Sequence, residues 1–161
     1  MKTLIDKARE FAIKAHGNQT YGTGEPYIVH LEAVANVLFE FGFDDVDLVA
    51  SALLHDTIED TTVNYSDIKN EFNGVIAELV YAVSDELGRN RKERHDKTYP
   101  KIAQSPRAII LKLADRIANV RASVISGDKL DMYKKEYADF RLGLYNGDNL
   151  AMWDEIDKLL S

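Results

Sequence analysis

Cysteine is absent from the 161 residues, which excludes a disulfide scaffold, a cysteine nucleophile and any thiolate metal site. Proline is scarce: only Pro26, Pro100 and Pro106 interrupt the chain, together with nine glycines. Basic residues are in deficit, 20 Lys and Arg against 27 Asp and Glu, for a net charge of −7. A general nucleic-acid binder carries the opposite imbalance, so no nucleic-acid partner is expected. No apolar run approaches the roughly 18 residues that span a bilayer. Met1-Lys2-Thr3 leads straight into a polar–apolar helical pattern, so neither a transmembrane segment nor a signal peptide is expected, and no membrane partner. The expectation is one cytoplasmic domain over residues 1–161, large enough to bury about two thirds of its unfolded surface.

What is present is helical spacing almost throughout, with no convincing period of two, and an all-α fold of seven or eight helices is expected. Thr3 with Asp6 forms a capping-box pattern before Leu4, Ala8, Phe11, Ala12 and Ala15. The glycine-rich segment from His16 to Pro26 reads as a loop, and a second helix runs from about Ile28 to Phe41. Asp44 to Asp47 can cap a third helix, whose end, His55-Asp56-Thr57-Ile58-Glu59-Asp60, turns polar where a buried helix should remain apolar. Shorter helices follow near Tyr65–Phe72 and Val75–Ser84. A charged stretch from Arg89 to Lys101 is broken by Pro100, and Pro106 opens a long helix to Ile125. Two more helices are expected at about Leu130–Tyr145 and Leu150–Leu160, with the aromatic residues there forming core and a tyrosine that reaches the substrate as the alternative.

Three polar features sit in apolar surroundings. His55 and Asp56 are adjacent, and neighbours about 100° apart on a helix meet one ion only near a bend or an end. Glu59 and Asp60 follow at spacings that crowd the same turn, and such carboxylates repel unless a cation or proton compensates; a solvated acidic helix end is the alternative. Asp115, one turn before Asn119, lies in a helix of Ile, Leu and Ala, where it needs a salt bridge to Lys112 or Arg116, or a metal. His30 sits just inside a helix start, where a structural role is the alternative to a ligand's. Together His30, His55, Asp56 and Asp115 form a nitrogen and oxygen donor set without sulfur, suited to a divalent first-row ion.

The order of these residues is similar to the signature of the HD superfamily of metal-dependent phosphohydrolases. Ala15-His16-Gly17-Asn18-Gln19 with Gly24-Glu25-Pro26-Tyr27-Ile28-Val29-His30 resembles the opening of the SpoT/RelA hydrolase domain and of its small metazoan homologue. His55-Asp56-Thr57-Ile58-Glu59-Asp60 resembles that group's HD-x-x-ED helix. Lys112-Leu113-Ala114-Asp115-Arg116, with Asn119 and Arg121, resembles its KLADRxxNxR helix. The resemblance implies one ion, usually Mn2+, held by His30, His55, Asp56 and Asp115. It also implies an acidic pair, Glu59 and Asp60, that orients or deprotonates water, and Asn119 beside the substrate's sugar or phosphate. The implied reaction is removal of the 3′-pyrophosphate from guanosine 3′,5′-bis(diphosphate), by a stand-alone hydrolase with no synthetase half.

The sequence departs from that pattern where Tyr21 and Gly22 replace an Arg-Lys pair that holds the guanine nucleotide, and where Leu31 and Ala118 replace Pro and His or Tyr. Tyr21 then either stacks on a base or simply packs. The missing positive charge is expected from Arg89 to Lys101, with Arg91, Lys92 and Arg94 as a phosphate clamp, against the alternative of a solvated loop. His95, in that stretch, is expected to face solvent, and His16 to cap the first helix. Two other functions stay open: hydrolysis of another nucleotide, such as NADPH or a nucleoside phosphate, and a non-catalytic helical module that binds metal or nucleotide.

Overall fold

Thr3 opens the first helix as its spacing to Asp6 predicts. Its hydroxyl accepts the Asp6 N–H at 3.0 Å, and the Asp6 carboxylate accepts the Thr3 N–H at 3.1 Å. Helix α1 (Leu4–His16) follows, with Ala8 and Ala12 fully buried. Side-chain oxygens cap five more helices, satisfying amides that a helix start leaves without partners. Asp45 caps α3 (Val46–Leu54), Asn64 caps α5 (Tyr65–Glu71), Asn73 caps α6 (Gly74–Val83) and Ser105 caps α8 (Pro106–Ser126). Helices α2 (Ile28–Glu40), α9 (Leu130–Leu144) and α10 (Leu150–Leu160) lie where the apolar spacing predicts them. The computed structural model describes all residues 1–161.

The all-α expectation holds, but the count is nine helices of seven to 21 residues plus one single turn. The turn is α4 (Thr57–Asp60), separated from α3 by His55 and Asp56. The ninth helix is α7 (Arg91–Ala103), which runs through Pro100 instead of breaking there. Asn90 caps it by accepting the Glu93 N–H at 2.9 Å. His95, Thr98, Tyr99 and Ile102 are buried along its inner face, whereas Pro100 and Asp96 are both exposed. The carbonyl that proline leaves without a donor therefore faces water, and burial of the inner face outweighs the local penalty. A small antiparallel ribbon, β1 (Thr20–Tyr21) and β2 (Glu25–Pro26), pairs Thr20 with Pro26 and Tyr21 with Glu25. Strands of two residues are too short to show any alternation in sequence.

Helix α8 is the axis of the molecule: α2, α3, α6, α7, α9 and α10 all pack against it. Helix α3 is buried from Leu48 to Leu54, as a helix apolar on every side must be, between α1, α2, α6 and α8. The end of α3, the start of α2 and the middle of α8 consequently meet inside the protein. No helix is long and apolar enough to cross a membrane.

Because Pro100 sits in a continuous, exposed stretch of α7, Pro100→Ala is expected to stabilise the fold by about 1–3 kcal/mol, the penalty of an interior helical proline less the flexibility gained by the unfolded chain. Chemical denaturation checks this, and an unchanged midpoint would mean that α7 gains nothing from the restored hydrogen bond.

Candidate active site

The helical break after Leu54 is what lets two consecutive residues face one point. His55 ends α3, Asp56 adopts φ −100° and ψ 1°, and α4 restarts beyond it. Thr57 pins the break: its buried hydroxyl donates to the Leu54 carbonyl at 2.7 Å. The two side chains meet His30 from the first turn of α2 and Asp115 from α8. One ring nitrogen each of His30 and His55 and a carboxylate oxygen of Asp56 lie within 4.8 Å of one another. Asp115 Oδ1 is 3.1 Å from both Nε2 atoms, and Asp56 Oδ2 is 3.2 Å from His55 Nε2 and 3.7 Å from that of His30. The structure thus brings these four side chains together. It also gives Asp115 the salt bridge considered as an alternative, since Lys112 Nζ donates to its Oδ2 at 3.0 Å. The two arrangements coexist because they use different oxygens.

The hydrogen atoms decide what this cluster wants. His55 Nδ1 is 2.6 Å from the Ala52 carbonyl, so Nδ1 carries a proton and Nε2 is the ring's free nitrogen. A lone pair there faces oxygens of Asp56 and Asp115 at about hydrogen-bond distance, which is repulsive unless a proton or cation lies between. Burial opposes charge on His55, but Asp56 and Asp115 outweigh it and raise its pKa well above the usual histidine value. The imidazolium in turn helps bring Asp56 down to about 2 against the effect of burial. Lys112 and His55 hold Asp115 well below the carboxylate range, again against burial. Nitrogen and oxygen donors converging on a point that demands positive charge, with one imidazole oriented by a backbone carbonyl, fit a divalent ion.

Glu59 and Asp60 project from α4 beside this cluster. Glu59 Oε1 accepts the Asp85 N–H at 2.7 Å. Desolvation at the cavity wall and the Asp56 charge push its pKa up to about 7, against that amide. Desolvation and Asp56 raise Asp60 as well. Gln19 Nε2 donates to Asp60 Oδ2 at 3.1 Å, and its Oε1 lies 2.8 Å from His16 Nδ1. His16 therefore does more than end α1: it is buried, stacks on Tyr27 at 4.6 Å and orients Gln19. Tyr27, between the two histidines in sequence, donates its hydroxyl to Asp56 at 2.6 Å.

Tyr27, His30, Asp56, Glu59, Asp60 and Asp115 line a cavity of about 800 Å3. Asn119 lies on its wall, with Nδ2 donating to Asp115 Oδ1 at 3.1 Å and Oδ1 accepting the Tyr21 hydroxyl at 2.6 Å. Tyr21 stacks on His30 with centroids 4.5 Å apart and planes 8° from parallel. Of the three expected clamp residues, only Arg91 reaches the cavity. Lys92 lies on the outer face of α7, bonded to Asp96, and Arg94 lies outside the lining, its backbone under Gly88. The helix that replaces the expected loop sends these neighbours in different directions. Arg91 pairs with Glu136, which also accepts Arg116 Nη1 at 3.0 Å.

Four further ionisable lining residues escape a sequence reading: Asp85, Asp128, Lys129 and His95, the last buried rather than facing solvent. The spacing His95, Tyr99, Ile102 was the available signal, hidden among charges. The lining carries seven carboxylates against Arg91, Lys112 and Lys129, so a polyanion enters only with added positive charge.

The chain matches the family model named HD domain over residues 8–145. It is 44% identical over 122 residues to the guanosine-3′,5′-bis(diphosphate) 3′-pyrophosphohydrolase of Aquifex aeolicus, covering 73% of this chain and 17% of that protein. It is 46% identical over 114 residues to the bifunctional (p)ppGpp synthase/hydrolase SpoT of Escherichia coli, covering 66% and 16%. The chain thus spans about a sixth of the length of these two relatives. Among solved structures, a metazoan ortholog of SpoT that hydrolyzes ppGpp superposes with a TM-score of 0.86 at 25% identity, covering 99% of this chain and 94% of that one. The architecture, the HD-x-x-ED turn against the KLADR helix, and the match over most of the sequence have one reading: this chain belongs to the HD-domain family.

Proposed function

We propose that this protein is a metal-dependent phosphohydrolase that removes the 3′-pyrophosphate of guanosine 3′,5′-bis(diphosphate). The observation that carries the reading is the convergence of His30, His55, Asp56 and Asp115, three of which line one cavity together with Glu59 and Asp60. The names of the similar Aquifex and Escherichia proteins and of the metazoan structure support the substrate. The four side chains would hold a divalent ion, with Mn2+ as our choice. Such an ion supplies Lewis-acid polarisation and charge neutralisation at the attacked phosphoryl group.

The chain's own groups do the rest. Glu59, anchored through one oxygen by the Asp85 amide, keeps the other for a water proton. Asp60, steered by Gln19, holds that water in line with the phosphorus. As the water oxygen bonds to phosphorus, its proton passes to Glu59, and the ribose O3′ leaves and acquires a proton, releasing pyrophosphate and a guanosine 5′-diphosphate. Arg91 draws in phosphate oxygens, and Asn119 with Tyr21 flanks the sugar.

One observation favours a second substrate. The ribbon wall offers Thr20, Tyr21, Gly22 and Thr23 and no cation, and Tyr21 is already engaged with His30 and Asn119. A nucleotide held through its phosphates rather than its base, such as NADPH or a nucleoside phosphate, would suit that wall.

The test is a nucleotide panel with chelated protein before and after addition of Mn2+. The expected outcome is ion-dependent release of pyrophosphate from the alarmone, with the highest kcat/KM of the panel. Ranking far below NADPH and nucleoside phosphates would shift the substrate to the second reading. No turnover of any nucleotide, in wild type as in Glu59→Gln, would leave a binding module.

A pH dependence follows from Glu59. A proton acceptor works only when ionised, so the rate should climb with pH as Glu59 loses its proton. Burial, the larger cause of its raised pKa of about 7, persists when the charge on Asp56 is compensated, so the pKa then settles between the ordinary value of 4.5 and 7. The acidic limb of kcat is therefore expected between about pH 4.5 and 7, with Glu59→Gln losing ~10²-fold or more in kcat at the plateau.

A further inference from the structure

We propose that His95 is a substrate-contacting residue, an imidazole whose Nε2–H is a fixed hydrogen-bond donor to a phosphoryl oxygen in the cavity, with its tautomer set by Tyr99 and Arg116. The inference rests on the phosphohydrolase reading for its ligand class, but its geometry stands alone.

The argument starts at Arg116, a side chain that only donates. Its guanidinium is buried, with Nη1 donating to Glu136 and Nη2 donating to the Tyr99 hydroxyl at 3.3 Å. The Tyr99 oxygen is therefore an acceptor, and its own proton needs a recipient. Tyr99 is buried too, and its other partner is His95 Nδ1 at 3.0 Å. Were Nδ1 the donor instead, the tyrosine proton would be left buried without an acceptor, at a cost of about 1–3 kcal/mol. Nδ1 therefore accepts, and in the neutral ring the proton sits on Nε2.

The ring is held where this chain of bonds puts it. It stacks on Tyr99 with centroids 4.8 Å apart and planes 21° from parallel. Gly143 of α9 seats the tyrosine: a Cβ there would come within 3.1 Å of the Tyr99 side chain. Burial, opposed by Asp85 and reinforced by Arg91 and Lys112, brings the His95 pKa down to about 4, so the ring is neutral at pH 7.

Nε2 has no hydrogen-bond partner in the protein. The nearest acidic oxygen, Asp85 Oδ2, is 3.8 Å away, and His95 lines the cavity. Arg91 is four residues earlier on the same face of α7 and lines the same wall. A committed donor without an acceptor, beside a guanidinium and facing an open cavity, is matched by an anionic oxygen. In a phosphohydrolase that oxygen belongs to a phosphoryl group, on which a neutral donor stabilises charge without contributing a proton.

The test combines kinetics with a readout that needs no turnover. In protein labelled with ¹⁵N-histidine, His95 (assigned by loss of its signals in His95→Phe) should show the Nε2–H tautomer, and inorganic pyrophosphate with Mg2+ should shift that resonance downfield. An Nδ1–H tautomer, or no shift at saturating pyrophosphate, would overturn the proposal. In hydrolysis of guanosine 3′,5′-bis(diphosphate), His95→Phe keeps the stacked ring and is expected to lose ~10–100-fold in kcat/KM, with a melting temperature lowered by a few degrees because the buried Tyr99 hydroxyl loses its acceptor. His95→Gln, which restores an N–H near the same point, should recover most of that loss, and Tyr99→Phe should fall between. Wild-type kinetics in His95→Phe, or equal losses in the Phe and Gln variants, would reduce His95 to packing. If the wild type does not turn over the alarmone, the hydrolase reading fails instead, and the pyrophosphate titration still decides the role of His95.

Discussion

The centre of the structure is a contact that is unfavourable as it stands. Two imidazole nitrogens and two carboxylates point at one small volume inside an otherwise apolar bundle, each nitrogen 3.1–3.7 Å from an oxygen of both carboxylates. The Ala52 carbonyl denies His55 the option of turning its protonated nitrogen inward as a neutral ring. Positive charge must come from a proton or from a cation. The packing holds the repelling groups in place: α3 is buried on every side, Thr57 locks the break behind His55, and α8 is gripped by the helices around it.

The same electrostatic requirement extends outward. A wall with seven carboxylates and three Lys or Arg side chains does not attract a polyphosphate unaided. Compensating the central charge lowers that repulsion, so the field at the wall follows the state of the cluster. The Arg91–Glu136–Arg116 group works in the same sense. Two guanidinium groups share one carboxylate, so positive charge is left over on the cavity side. Arg116 stacks over Phe140 and Tyr133 at 4.3 and 4.9 Å, and this tie to α9 makes the group stiff as well as charged.

Much of this was legible before any coordinates. Helix limits followed from caps and glycine stops, because capping depends on neighbours two or three residues away. The polar ends of α3 and the Asp115–Asn119 pair stood out because they interrupt apolar helices. Helix α7 did not stand out. Its inner face is His95, Thr98, Tyr99 and Ile102, mostly polar atoms that become buried only because α8 and α9 cover them. Charge density therefore looked like a loop, and Lys92 and Arg94 looked equivalent to Arg91 until the helix separated their directions. The Tyr21–Asn119 bond joins residues 98 positions apart and leaves no local trace.

The sequence by itself determined which residues form every long helix but α7, where most of them begin and end, and which polar groups interrupt apolar faces, since each of these depends on a few adjacent side chains. Only the tertiary structure decided that His16 steers Gln19, that Tyr21 is occupied by Asn119, and that His95 turns inward with its proton on a chosen nitrogen. Those facts depend on which atoms of distant helices share a hydrogen bond, and a buried group's partner is chosen by packing, not by its neighbours in the chain.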